Sequence, residues 1–127
     1  MGFVGHESLK LSPVILVREM AEALAFYEDK LRFDKVFDDA GSPGSAISYA
    51  GVARGSICIH LQTMTHGENP TMPLVRIKVT NIKLLHQEYD ARGLVGATGH
   101  LEPKPWSSKD FGIYDINGAA LVFYEDL

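Results

Sequence analysis

The sequence predicts an α+β fold of two βαβββ modules, and three observations carry the prediction. The first is a repeat. Val14 to Phe33 (VILVREMAEALAFYEDKLRF) matches Arg76 to Val95 (RIKVTNIKLLHQEYDARGLV) 62 positions on, with Val17 on Val79, Met20 on Ile82, Ala23 on Leu85, Tyr27 on Tyr89, Lys30 on Arg92 and Phe33 on Val95. The second is a change of period inside each copy. Met20, Ala23, Leu24, Tyr27 and Leu31 recur at helical spacing. Val75, Ile77 and Val79 alternate with Leu74, Arg76 and Lys78 as the two faces of a strand. The third is that the same register holds further on. Ser56 to Gln62 falls on Gly118 to Tyr124, each a short β-rich run entered through a glycine turn, Arg54-Gly55 or Asn117-Gly118. Two copies are too few for a solenoid, which needs about three or more, so a closed pair of modules sharing one site is expected.

Taken in order, residues 1–11 show no period and read as a loose entry. Leu11 to Val17 is the first strand, with Pro13 confining its start to an edge because proline has no donor for the ladder. Arg18 to Leu31 is the first helix and Asp34 to Phe37 the second strand. Ala40 to Gly44 is a turn by composition. Ala46 to Ala50 and Ser56 to Gln62 form a hairpin around Gly51 to Gly55. Thr65 to Pro73, with Gly67, Asn69, Pro70 and Pro73, is the linker. Leu74 to Val79 is the fifth strand and Ile82 to Arg92 the second helix, closed by Gly93. Val95 to Leu101 is a weak sixth strand broken by Gly96 and Gly99. Pro103 to Ser108 reads as a loop. Lys109 to Asp115 and Ala119 to Glu125 make the last hairpin. The chain, 1–127, is then a single domain, with module one at about 11–64, the linker at 65–73 and module two at about 74–127.

Composition excludes several classes. A chain of 127 residues with 46% hydrophobic and 22% charged residues has the balance of a soluble globular domain, long enough to bury a core. A net charge of -4, with no two basic residues adjacent, leaves no footprint for nucleic acid or an anionic membrane. No apolar stretch approaches the roughly 20 residues that span a bilayer. The N-terminus carries no secretory pattern. A lone cysteine, Cys58, forms no internal disulfide, so a reducing, cytoplasmic setting is the expectation.

Certain residues point to a family. Val17-Arg18-Glu19, Phe26-Tyr27 and Leu31-Arg32-Phe33 resemble the opening of the vicinal-oxygen-chelate superfamily, which includes glyoxalase I, extradiol dioxygenases, fosfomycin resistance proteins and bleomycin resistance proteins. There a strand ends in V-x-[DE], the helix carries F-Y, and a leucine precedes G-F; Arg32 stands where glycine is usual. Trp106, Phe111 and Asp115-Ile116-Asn117-Gly118-Ala119-Ala120-Leu121 resemble the family's closing W…F…D-P-x-G-N-x-L, with Ile116 for proline and Ala119 for asparagine. The likeness covers nearly all of residues 11–125. The tryptophan loop and the start Pro13-Val14-Ile15-Leu16-Val17 look most like the bleomycin resistance branch. The resemblance implies a glyoxalase/bleomycin-resistance-type sheet with helices on one face, and a homodimer in which modules pair within or, strand-swapped, between chains.

The resemblance also implies where a metal would sit. Enzymes of the superfamily hold a divalent ion, Zn, Ni, Fe or Mn, with His, Glu or Gln from four strand positions. Carried over, these are Ser12, His60, Leu74 and Val122, on the sheet face away from the helices. The repeat agrees, since Ser12 falls on Leu74 and His60 on Val122. Leu74 and Val122 have no lone pairs, and a serine hydroxyl is a poor ligand for these ions. Slipping by one residue offers Leu11 or Pro13, Pro73 or Val75, and Leu121 or Phe123, none of them ligands. His6, His66, His86 and His100 make no metal-binding pair with one another. The expectation is therefore a metal-free binder of a small organic ligand, without catalytic residues. The rival is a metal-dependent glyoxalase-like lyase or isomerase, or an extradiol dioxygenase relative.

Candidate ligand contacts follow from the cleft face. His60 reads as a satisfied cleft histidine, a polar contact to ligand, or a general base. Arg76 is suited to an anionic group, since its fork holds a carboxylate or phosphate bidentately, or to a salt bridge with an acid of the partner chain. Trp106, Tyr49, Phe111 and Tyr124 supply aromatic surface, Trp106 as a cap on the cleft or a dimer contact. Tyr27 and Tyr89 read as structural. Cys58 faces the cleft without an activating cation nearby in sequence. Arg76 and Lys78 on that face predict a neutral or anionic ligand rather than a cationic drug. No P-loop, nucleophile elbow or dinucleotide fingerprint is present.

Overall fold

The β-rich run VILV forms strand β1 (Val14–Val17), beginning only after Pro13 and so shorter than the Leu11 to Val17 expected. Helix α1 (Met20–Ala25) buries Met20, Ala23 and Leu24. It then widens into a π-helical turn, Phe26–Lys30, closed by Leu31 N–H donating to the Phe26 carbonyl at 3.1 Å. The uniform helix expected over Arg18 to Leu31 is thus later in starting and mixed in type. It stops at Arg32, whose φ of 64° is left-handed, the conformation for which the related motif uses glycine.

The chain continues through β2 (Asp34–Asp38), β3 (Tyr49–Arg54) and β4 (Ile57–Thr63). Here the expected hairpin is corrected. The reversal is made by Gly55 and Ser56, with Gly55 at φ 60°, and Gly51 lies inside β3 opposite His60. Extending β3 across Gly51 pairs Val52 with Ile59 and buries both, a gain the shorter hairpin would forgo. The structure, a computed structural model, describes residue 5 and residues 10–65, 72–96, 101–104 and 108–126.

The second module repeats the order with β5 (Leu74–Lys78), α2 (Ile82–Ala91), β6 (Glu102–Lys104), β7 (Ser108–Tyr114) and β8 (Ala120–Asp126). Glu125 of β8 receives the first N–H groups of α2, from Asn81 and Ile82 at 3.0 and 3.2 Å. Gly93, at φ 73°, ends α2 as expected, with Leu94 N–H returning to the Tyr89 carbonyl at 3.0 Å. The sixth strand lies later than the Val95 to Leu101 expected and includes Pro103, a residue the sequence places in a loop. Proline is tolerated because β6 is the outer strand of its sheet. Residues 97–100, most of the linker (66–71) and Trp106 lie outside the described residues.

Each module forms a four-stranded sheet, ordered β1-β4-β3-β2 and β5-β8-β7-β6. The parallel pairs keep the repeat's register, Val14 opposite His60 and Arg76 opposite Val122. The antiparallel pairs do not. Tyr49 lies opposite Gln62, but Asp110, not Phe111, lies opposite Tyr124. A slip of one residue reverses which face a side chain occupies. Phe111 is therefore buried in the core, stacked on Phe123 with ring centroids 5.4 Å apart, and does not join the cleft face.

One core cluster runs through both modules, with Tyr27, Leu31, Phe33, Ile59, Tyr89, Leu121 and Phe123 at its heart. Each fully buried apolar side chain of this size contributes about 1.5–3 kcal/mol. Two tyrosines pin the modules together across it. Tyr27 donates its hydroxyl to Asp115 Oδ2 at 2.8 Å, and Tyr89 donates to the Leu31 carbonyl at 2.9 Å.

Candidate functional site

Because the helix-bearing sides of both sheets share the core, the opposite faces look outward. Alternation places Val14, Phe37, Tyr49, Gly51, Cys58, His60 and Gln62 on the outward face of module one. On that of module two it places Leu74, Arg76, Lys78, Asp110, Gly112, Tyr114, Val122 and Tyr124. These faces carry apolar surface left open to water: Val14 is 47% exposed, Phe37 41%, Leu74 63% and Tyr114 71%. Among the described residues, the outermost strands β1 and β5 have no sheet neighbour on their far sides.

The first face is aromatic. Tyr49 Oη and His60 Nδ1 are hydrogen-bonded at 2.8 Å, which fixes the imidazole; among the described residues no hydrogen bond is made to its Nε2. Phe37 closes on both rings, with centroids 5.1 Å from His60 and 6.2 Å from Tyr49. The second face is charged. The Arg76 guanidinium lies over the Tyr124 ring, 4.5 Å from its centroid, in cation–π geometry. Its Nη1 is 3.6 Å from Oδ2 of the buried Asp110, and Lys78 pairs with Asp126 at 2.7 Å. The salt bridge expected from Arg76 to an acid of a partner chain is replaced by this contact with Asp110 of the same chain. It is too long to be a hydrogen bond, and part of the guanidinium stays exposed to solvent.

The structure brings Tyr49 to His60, and Arg76 to Tyr124. A groove of about 500 Å³ brings Ser12 and Cys58 beside Leu74 and Arg76, where the start of β4 faces β5. Three contributors escaped the sequence reading: Phe37, Gly51 and Asp110. Val36-Phe37, an apolar pair on a strand otherwise made of Asp and Lys, was the one available signal for Phe37. Gly51 reads as a turn residue by composition, and the slip in register hides Asp110.

His60 is flanked across the strands by Val14 and Gly51, and Val122 by Arg76 and Gly112. None of the four flanking side chains offers an oxygen or thiolate, and a guanidinium beside the position opposes a cation. Among the described residues no three His, Cys, Asp or Glu side chains converge on a common point. This donor set does not fit a divalent transition metal.

Comparison of the sequence with protein-family models and with curated proteins gives no match. Solved structures do match. The bleomycin-binding protein from bleomycin-producing Streptomyces verticillus, determined with copper(II)-bleomycin, aligns with a TM-score of 0.71 at 25% identity over 93% of this chain and 96% of that one. A glyoxalase-related enzyme from Clostridium phytofermentans aligns with a TM-score of 0.77 at 18% identity over 98% and 100%. A bleomycin resistance determinant encoded on transposon Tn5 gives 0.76 at 17% over 94% and 98%. The chain has the vicinal-oxygen-chelate fold, in a form close to that of bleomycin resistance proteins.

Proposed function

On this vicinal-oxygen-chelate fold we propose that the protein is a metal-free binder of a small organic molecule, as in bleomycin resistance by sequestration, with its cleft completed by a second copy of the chain. The observation that carries the reading is the outward face itself. It is open, largely apolar and aromatic, and at the four strand positions where an enzyme of this fold would hold an ion only His60 is a competent ligand. Exposed apolar groups at Val14, Leu74 and Tyr114, with unpaired outer edges at β1 and β5, are surfaces a second copy would cover. The binding seen in the bleomycin-binding neighbours supports the ligand class in outline. The charges on this face are balanced, because Arg76 and Lys78 are matched by Asp110 and Asp126, which favours a ligand without a large net charge. A cytoplasmic location, where Cys58 stays reduced, belongs to the same reading.

Sedimentation velocity and elemental analysis of the purified chain test it together. The expected outcome is a dimer with less than about 0.1 equivalent of Zn, Ni, Fe or Mn per chain, broken to monomer by Leu74→Glu. A monomer at 100 μM (about the concentration at which a weak dimer would still form), or about one bound metal ion per chain, overturns it.

A further inference from the structure

Arg18 and Thr80 occupy the same place in the two modules, 62 residues apart, each just ahead of its helix. Around Arg18 the modules are bridged. The turn from β7 to β8 carries Asn117, whose Oδ1 accepts the Arg18 N–H at 3.1 Å. Around Thr80 they are not. The turn from β3 to β4 is shorter, with Gly55 and Ser56 between the paired Arg54 and Ile57, where residues 116–118 lie between Asp115 and Ala119. Among the described residues no acceptor is given to the Thr80 N–H, while those of Asn81 and Ile82 beside it are taken by Glu125.

A groove of about 620 Å³ opens at that place, between the Gly55–Ser56 turn and the start of α2. Its floor is apolar, made by Phe33, Tyr89 and Phe123, with Leu85 on a wall. Its rim offers donors, from Arg54, the Ser56 hydroxyl and both the hydroxyl and N–H of Thr80. Among the described residues no carboxylate lines it. Arg54 bonds Glu88, Tyr89 and the Leu31 carbonyl through its two terminal nitrogens, and its Nε–H has no acceptor among the described residues. Glu88 answers only part of the local charge, because Arg32 and Arg92 act on it together with Arg54. Apolar floor, donor rim and surplus positive charge together suit a molecule with an apolar body and one anionic acceptor.

We propose that this groove is a second binding site, separate from the outward cleft, and that it takes an amphipathic monocarboxylate. The carboxylate does at this joint what the Asn117 carboxamide does at the other. One oxygen accepts the Thr80 N–H and the second faces Arg54. The apolar body lies along Leu85, over the three rings of the floor. Occupancy ties the Gly55–Ser56 turn to the start of α2, so it stabilises the folded chain in proportion to the ligand bound. The outward cleft takes no part, and the inference holds whatever that cleft accepts.

NMR titration of the full chain with octanoate and 4-phenylbutanoate tests the proposal, with octan-1-ol and octylammonium as neutral and cationic controls. At least one of the two acids is expected to bind saturably, with a Kd of about 1 mM or below. Amide shifts should centre on Ser56, Thr80 and Leu85 and leave His60 and Tyr124 unmoved. The alcohol should bind roughly fivefold more weakly than that acid, and the ammonium more weakly still. Thr80→Glu, at an exposed position, should weaken the acid roughly tenfold without changing the alcohol, and Thr80→Gln should keep the acid's binding. Leu85→Trp, which fills the groove, should abolish binding; if it fails to fold, the Thr80 pair decides. Shifts centred on the cleft face, an alcohol bound as tightly as the acids, equal effects of Thr80→Glu and Thr80→Gln, or no saturable binding of either acid at about 10 mM overturns the site.

Discussion

The two joints between the modules occupy equivalent places and are built from opposite charges. Arg54 ends β3 opposite Ile57, and Asp115, opposite Ala119, is its counterpart after β7. Each meets the tyrosine of the other module's helical segment. Asp115 takes the Tyr27 hydroxyl on Oδ2, while its Oδ1 accepts N–H groups from Asn117 and Ala119 at 2.8 and 2.9 Å. Arg54 lies beside the Tyr89 hydroxyl at 3.1 Å and grips Glu88 bidentately at 2.7 and 2.8 Å. The first joint is buried, the second half open to water. The repeat therefore fixes where the modules touch, while the polarity of each touch is free to differ.

That comparison is broken most severely at Asp115. Replacing Asp115 with Ala strips three donors of their acceptor inside the protein, at about 1–3 kcal/mol for each group left unsatisfied. A net loss of about 3–4 kcal/mol is expected in urea unfolding, a large share of the stability of a domain this size. Asp115→Asn, which keeps Oδ1, should lose far less. Equal losses from the two variants would mean that the turn bonds carry nothing.

Alkaline titration probes the two tyrosines directly. Burial first, and then Asp115, holds the Tyr27 hydroxyl far above its ordinary value of 10.0. Burial raises Tyr89 as well, although Arg54 opposes the rise. A group raised on folding stabilises fully below its unfolded value and ceases to as pH climbs past it. Stability should thus fall above about pH 10, with absorbance near 295 nm showing Tyr27 and Tyr89 ionising only as the chain unfolds. Ionisation of all tyrosines in the folded protein would contradict the buried joints.

The open joint responds at the other end of the scale. The hydrogen bonds from Arg54 hold the Glu88 carboxyl below its ordinary 4.5. Its stabilisation is present above that pH and fades as the carboxyl is protonated below it. Arg54→Ala should cost about 1 kcal/mol at neutral pH for a pair this exposed. It should also flatten the stability curve between neutrality and pH 3, as chemical denaturation across pH would reveal. An unchanged slope would remove Glu88 from the joint.

The smallest effect contrasts the two helix ends. Gly93 closes α2 at φ 73° without strain, whereas Arg32 adopts 64° with a side chain. Arg32→Gly should stabilise the protein by up to about 1 kcal/mol, the left-handed penalty less the entropy glycine adds to the unfolded chain. A thermal midpoint lowered by this substitution would show that the arginine side chain itself matters, through its charge near Glu88.

The sequence by itself determined the two-module plan, the strand–helix–strand order and the helical faces, because apolar period is a local property readable within each copy. It also settled which chemical groups stand at His60, Leu74 and Val122. It missed wherever the outcome depended on how far the chain had travelled before it returned. One residue fewer between β5 and β7 than between β1 and β3 sends Phe111 to the core and Asp110 to Arg76. Gly51, a turn residue by composition, became the floor under Phe37 because pairing Val52 with Ile59 buried more than an earlier reversal would. Pro103 entered a strand because that strand is outermost. Register, edges and the joints between modules are set by contacts distant in sequence, and those only the tertiary structure decided.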